Sequence, residues 1–123
     1  MQLKEIGSTG VKISRIGFGC ASIGCEYGIK INGESCILLE KETSVLVDYA
    51  INKGIKIFDT APAYGRSEEI LGKALKGKRH SVVIGTKSAL ILEDGGLPLK
   101  SVIEKKINNS IDKRSGIIKN RLY

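Results

Sequence analysis

Three short apolar runs, each followed by a stretch of different periodicity, constrain this chain more than anything else in it. The runs are Ile16-Gly17-Phe18-Gly19, Ile55-Lys56-Ile57-Phe58-Asp59 and Ser81-Val82-Val83-Ile84-Gly85-Thr86-Lys87. The last is almost continuously apolar, which predicts a parallel strand covered on both faces. Between the first two runs the spacing predicts a helix from about Glu40 to Lys53. Leu46, Tyr49, Ala50 and Lys53 share one face of it, Glu40 and Glu42 lie near its positive end, and Gly54 stops it. A second helix is expected with Ser67 as its cap, Glu68 and Glu69 in its first turn, and Ile70, Leu71, Ala74 and Leu75 as its buried stripe; Gly77 ends it. A third is expected after the loop Glu93-Asp94-Gly95-Gly96, opened by the capping box Ser101–Glu104 and carrying Ile103, Ile107 and Ile111 at four-residue spacing. Ahead of all this, Met1 to Ser14 reads as a hairpin turned at Ser8-Thr9-Gly10. Strand and helix alternate, so the expected class is α/β with a parallel sheet and right-handed crossovers.

Composition excludes several function classes. The 123 residues are 41% hydrophobic and 27% charged, an ordinary balance for a globular domain and wrong for a disordered chain. No uncharged stretch approaches the ~20 residues of a membrane helix, and Ile16–Cys25 lacks the basic flank of a signal peptide, so the expectation is a cytoplasmic protein. Cys20, Cys25 and Cys36 form an odd set, and the single histidine, His80, lies far beyond them. That spacing makes neither a disulfide scaffold nor a zinc site, and no metal is expected. The net charge of +7 comes entirely from the second half: thirteen Lys/Arg stand against six Asp/Glu from Ala63 onward, and seven against seven before it. A basic half of this kind suits an anionic ligand or nucleic acid. Yet Tyr64 and Tyr123 are its only aromatics, so stacking platforms are lacking and nucleic acid is not the expected partner.

The two best strands each end in an ionisable residue, Asp59 and Lys87. In parallel α/β folds reactive groups gather at the carboxyl ends of strands, and neighbouring strands lie only ~4.8 Å apart, so these two ends can pair. Tyr64 lies five residues past Asp59, in the loop of the same rim. From position alone the arrangement suits a strand-end salt bridge beside a loop tyrosine as well as it suits a catalytic group.

The segment Asp59-Thr60-Ala61-Pro62-Ala63-Tyr64-Gly65-Arg66-Ser67-Glu68-Glu69, running on through Leu75, strongly resembles the hallmark segment of the aldo-keto reductases. So does the entry Gly10-Val11-Lys12-Ile13-Ser14-Arg15-Ile16-Gly17-Phe18-Gly19, and Val83-Ile84-Gly85-Thr86-Lys87 is similar to the family's third strand. The resemblance runs in register over roughly residues 3 to 112. It implies the N-terminal part of a TIM (β/α)8 barrel, about three βα units behind a leading hairpin, in an enzyme that reduces an aldehyde or ketone with NADPH or NADH. By that resemblance the catalytic residues are Asp59, Tyr64 and Lys87. Tyr64 is the general acid toward the carbonyl oxygen, Lys87 favours its phenolate, and Asp59 holds Lys87 and touches the nicotinamide ribose. Gly19, Cys20 and Ala21 match the loop under the nicotinamide.

The chain also departs from the family pattern. The family's catalytic histidine at the end of the fourth strand has no counterpart here, because His80 precedes the third strand and reads as a surface residue. The loops after the seventh and eighth strands, which grip adenine and phosphates in the family, are likewise without counterpart. A barrel of this type takes ~250 residues. Residues 1–123 are therefore expected to be a truncated barrel domain that is aggregation-prone or only partly ordered and shows little or no reductase activity by itself. Two rival readings are a Rossmann module, contradicted by Ser22 where G-x-G-x-x-G needs its third glycine, and a non-catalytic remnant or interaction protein using the basic second half.

Overall fold

The computed structural model describes residues 1–28, 38–88 and 99–117, with side chains as far as residue 113. Cys36, the Glu93–Gly96 loop, Lys119, Arg121 and Tyr123 lie outside the described residues. Strands β1 (Leu3–Glu5) and β2 (Lys12–Ser14) form an antiparallel hairpin, whose turn places Gly10 at a φ of +74°. The remaining elements follow as β3 (Phe18–Gly19), α1 (Glu40–Asn52), β4 (Ile57–Asp59), α2 (Ser67–Ala74), β5 (Val83–Gly85) and α3 (Lys100–Ile117). Strands β3, β4 and β5 pair in parallel, in that order. The result is an open α/β sheet: among the described residues it does not close into a barrel, and β3 and β5 are its edges.

The core lies on one face of this sheet. Phe18, Phe58 and Ile84 stand in one row across the three strands, with the Phe18 and Phe58 rings 5.3 Å apart. Val47 and Ala50 of α1 and Leu71 and Ala74 of α2 pack over that row, joined by Cys20, Leu75 and Val82. Burying such side chains is the dominant stabilising term, at roughly 25 cal/mol per Å² of apolar surface. The opposite face carries Ile57, Asp59 and Val83 and is only half covered. Period-two alternation along each strand sends the apolar row to the core and the Asp59 row to this open face.

Several sequence expectations shift in detail. The strands are two or three residues long; the turn Arg79–Ser81 is 3-10, and Lys87 lies beyond β5. On α1 the buried residues are Thr43, Val47 and Ala50, whereas Leu46 and Tyr49 are exposed. The helix meets the sheet along a stripe one residue round from the face that hydropathy alone selects. Gly54 does end it, at a φ of +88° that a side chain rarely adopts. Ser67 is the first helical residue of α2 and not its cap; Arg66 occupies the cap position, and the Ser67 hydroxyl is used elsewhere. Helix α3 starts at Lys100, so Ser101 lies inside its first turn and not at the cap position that a capping box with Glu104 requires. Ile70, Leu71, Ala74 and Leu75 are buried as the pattern requires.

Helices α1 and α2 are also joined outside the core. Glu40 accepts from Arg66 at 2.8 Å and from Lys73 at 3.1 Å, and Glu69 accepts from the same two cations at 2.9 Å each. The Arg66 guanidinium, then Lys73, hold the Glu69 carboxyl at about 2, and Lys73 first of all holds Glu40 below its ordinary value of 4.5. A carboxyl depressed in the fold stabilises it above the unfolded-state value and loses that effect as the pH falls through the folded-state value. The network's contribution is therefore complete above 4.5 and fades between 4.5 and about 2. All four groups are well exposed, so the effect is small. Glu69→Gln should flatten the slope of Tm against pH across that acid window, and an unchanged slope would contradict this origin. Sedimentation velocity of the 123-residue chain should show concentration-dependent association through the open sheet; a single monomeric boundary at all concentrations would contradict that expectation.

Candidate functional site

The carboxyl-end rim of the sheet is set by one row of the parallel ladder. Gly19 of β3 pairs with Asp59 of β4, and Asp59 pairs with Gly85 of β5. A carboxylate thus stands between two residues without side chains. A Cβ at Gly19 would meet nothing within 4 Å, and one at Gly85 would lie 3.8 Å from Asp59 Oδ1. The glycines leave the carboxylate reachable from the open face, where its side chain is 54% exposed.

Lys87 returns to this carboxylate from two residues beyond β5. Its Nζ donates to Asp59 Oδ2 at 2.7 Å, to Asp59 Oδ1 at 2.9 Å and to the carbonyl of Thr60 at 3.1 Å. The same ammonium lies 4.9 Å from the centre of the Tyr64 ring. The Asp59 carboxylate raises the Lys87 ammonium above its ordinary 10.5, with Tyr64 acting in the same direction and desolvation against it. Asp59, Tyr64 and Lys87, separated by up to 28 positions in the chain, are brought together as the sequence expects.

The loop carrying Tyr64 is held by backbone contacts that permit no side chains. Gly24 packs against the chain from Tyr64 to Ser67: its carbonyl accepts the Arg66 N–H at 3.2 Å, and a Cβ on it would overlap the Tyr64 carbonyl and the Ser67 N–H. Gly65, at a φ of +56°, meets the Gly24 carbonyl from the other side. Beneath this contact runs a buried hydrogen-bond chain. The Ser67 hydroxyl donates to the Cys20 carbonyl at 2.7 Å, so its one proton is used; the Thr60 hydroxyl, 2.9 Å away, must therefore be the donor to Ser67 Oγ. These bonds join the loop after β3, the loop after β4 and the start of α2. Gly24, Thr60, Gly65 and Ser67 were not singled out as site residues from the sequence. The only local signals for them are a glycine directly after Tyr64 and a serine at a helix start, and the latter reads as a cap.

The other expected site residues are placed differently from one another. Gly19 and Asp59 share the exposed rim. Cys20 is fully buried, its N–H donates to the Asp59 carbonyl at 2.8 Å, and burial first, with the Asp59 charge next, pushes its thiol up to about 12. Ala21 opens a half-buried 3-10 turn, its carbonyl accepting from Gly24 and Cys25. His80 is exposed in the turn before β5, away from the rim. Among the described residues no group of three His, Cys, Asp or Glu is placed to hold a metal, and no helix is long and apolar enough to cross a membrane.

The sequence profile of the Aldo/keto reductase family matches residues 15–120. The chain belongs to that family. An aldo-keto reductase of Bacillus subtilis, YhdN, is 44% identical over 94 residues, which is 73% of this chain and 26% of that protein. The versiconal hemiacetal acetate reductase of Aspergillus parasiticus is 39% identical over 101 residues, 78% of this chain and 28% of that one. Among solved structures, a putative aldo-keto reductase from Pseudomonas aeruginosa, PA4992, superimposes with a TM-score of 0.74 at 29% identity, covering 96% of this chain and 43% of that one. This aldo-keto reductase chain thus spans between about a quarter and under half of the length of these relatives.

The two glycine sites lead to opposite expectations. Gly24→Ala should cost at least the ~1–3 kcal/mol of an overpacked core, because the obstructing atoms are backbone and cannot rotate away. Gly19→Ala should change stability by no more than about 0.5 kcal/mol. Urea denaturation of the two variants measures the difference, and comparable losses would contradict the role assigned to the Gly24 contact.

Proposed function

We propose that this chain contributes the tyrosine–lysine–aspartate part of a site that reduces an aldehyde or ketone to an alcohol with a nicotinamide cofactor. The observation that carries the reading is the Lys87 ammonium, held by Asp59 on one side and facing the Tyr64 ring on the other. In this reading Tyr64 is the general acid. Asp59 keeps Lys87 charged and in place, with the ammonium 4.9 Å from the centre of the Tyr64 ring. The proton of Tyr64 passes to the carbonyl oxygen, and the phenolate left behind is stabilised by Lys87. Bound NADPH or NADH would supply the hydride that such a reduction needs.

The residues present suit a nicotinamide. The open space at Gly19, beside the exposed Asp59 carboxylate, would admit a flat ring and its ribose, with Asp59 as acceptor for a ribose hydroxyl. Gly19 would form the floor, with the buried Cys20 and the half-buried Ala21 following it in the chain. NADPH is the cofactor proposed by family resemblance, and nothing in these residues selects it over NADH. Residues 1–123 are read as one part of a (β/α)8 domain, with a small carbonyl compound as substrate and the cytoplasm as location.

Grafting tests this separately from the chain's own length. When residues 15–120 replace the matching segment of the Bacillus subtilis relative, the chimera should oxidise NADPH with a reactive aldehyde. Tyr64→Phe in the graft should lower the rate by the ~10²–10⁴-fold typical of a lost general acid. A folded chimera whose rate survives Tyr64→Phe would overturn the assignment. The 123-residue chain by itself should show little or no such oxidation.

A further inference from the structure

Two adjacent glutamates at the start of α2 meet different fates. Glu69 is exposed and serves the surface network with Arg66 and Lys73, as a first-turn acid ordinarily does. Glu68 is 8% exposed and turns inward, where its Oε1 accepts the hydroxyl of Thr86 at 2.6 Å. A carboxylate withdrawn from water needs polar partners, and a bond from a hydroxyl to a carboxylate is among the stronger ones available. Thr86 immediately precedes Lys87. The bond therefore joins the helix that follows the Tyr64 loop to the backbone that carries the ammonium facing Tyr64.

We propose that Glu68 is a positioning residue for Lys87, acting through the Thr86 hydroxyl. The reason lies in what the Lys87–Asp59 pair lacks. Both side chains of that pair are about half exposed, at 50% and 54%, and an exposed ion pair spends most of its attraction on ordering a long side chain. The sheet cannot set Lys87 directly either. Ladder pairing ends at Gly85, whose carbonyl takes the Thr60 N–H at 2.8 Å, and Lys87 lies two residues further on. Between the last ladder residue and Lys87, the part-buried Thr86–Glu68 bond ties the backbone to α2, whereas the Asp59 carboxylate and the Thr60 carbonyl hold only the tip of the side chain. It also ties the Tyr64 and Lys87 loops to one helix end: the Ser67 N–H donates to the Tyr64 carbonyl at 3.0 Å, and Glu68 takes the hydroxyl of Thr86 beside Lys87.

The inference rests on the proposed role of Lys87, but its test does not need turnover. Amine-selective reductive methylation, followed residue by residue with mass spectrometry, reads how freely each lysine is presented as a neutral amine. Lys87 should be modified several-fold more slowly than the exposed Lys105, because its carboxylate partner keeps it protonated. Thr86→Val, close in shape and lacking the hydroxyl, should bring Lys87 to within about twofold of Lys105, and Thr86→Ser should restore the protection. Glu68→Gln, which keeps an acceptor but loses the charge, should fall between. Asp59→Asn is the control that shows the assay reads the pair. Circular dichroism of each variant separates a loosened loop from an unfolded chain. If Thr86→Val and Glu68→Gln leave Lys87 protected while Asp59→Asn exposes it, the proposal is overturned. If the grafted chimera lacks reductase activity but the labelling pattern is as expected, the positioning stands and the reductase reading fails.

Discussion

The hydroxyl of Ser67 has one proton and two oxygen neighbours, and the geometry of the rim follows from how that proton is used. Given to the Cys20 carbonyl, it obliges Thr60 to donate in turn, and three segments are tied at one buried point. Such a chain is costly to leave half made, since each member removed strands a desolvated partner. The Gly24–Gly65 contact stands directly above it and exists because neither residue has a side chain. Tyr64 is held within this frame by its backbone, its N–H donating to the Ala61 carbonyl and its carbonyl accepting the Ser67 N–H, each at 3.0 Å. Its position is inherited from the backbone on either side.

The charged groups divide into two kinds. The Glu40–Arg66–Glu69–Lys73 network lies in water on the outside of α1 and α2, strengthens the junction slightly, and is sensitive to acid. Lys87 and Asp59 are as exposed as that network, yet they sit at strand ends with the Thr60 carbonyl as a third acceptor and a phenol ring alongside. Similar exposure, different neighbours: the first set has only other charges to answer, while the second faces a group able to transfer a proton. An exposed pair at the end of a parallel sheet is therefore where chemistry is available, although it contributes little to holding the fold.

Much of this could be read along the chain. The apolar runs located all three parallel strands, the stripe Ile70, Leu71, Ala74 and Leu75 located the buried side of α2, and Gly54 marked the end of α1. Asp59 and Lys87 stood out as charged residues at the ends of apolar runs and Tyr64 as a tyrosine in the loop after Asp59, and the resemblance to the aldo-keto reductases made the three a set. What escaped was of another sort. Leu46 and Tyr49 are apolar but exposed, while Thr43 is polar and fully buried, so α1 is rotated from its hydropathy maximum by the shape of the sheet it packs on. Ser67 has the residue type of a helix cap, and its hydroxyl bonds to the Cys20 carbonyl 47 positions away instead. Glu68 and Glu69 are identical in type and adjacent, and no local rule separates them.

The sequence by itself determined the strand–helix alternation, the parallel pairing, the stripes that make the core of α2 and the residues that can carry charge and protons at the rim. Those are consequences of periodicity and residue type, which act over a few positions. The tertiary structure alone decided which carboxylate turns inward, which hydroxyl joins two loops, and which glycines are required by close backbone approach and which merely leave room. Each of those depends on atoms that are distant in the chain and meet only when β3, β4, β5 and α2 are packed. Local pattern specifies what an element can bury; the packed partner specifies what each polar atom must bond to once water is gone.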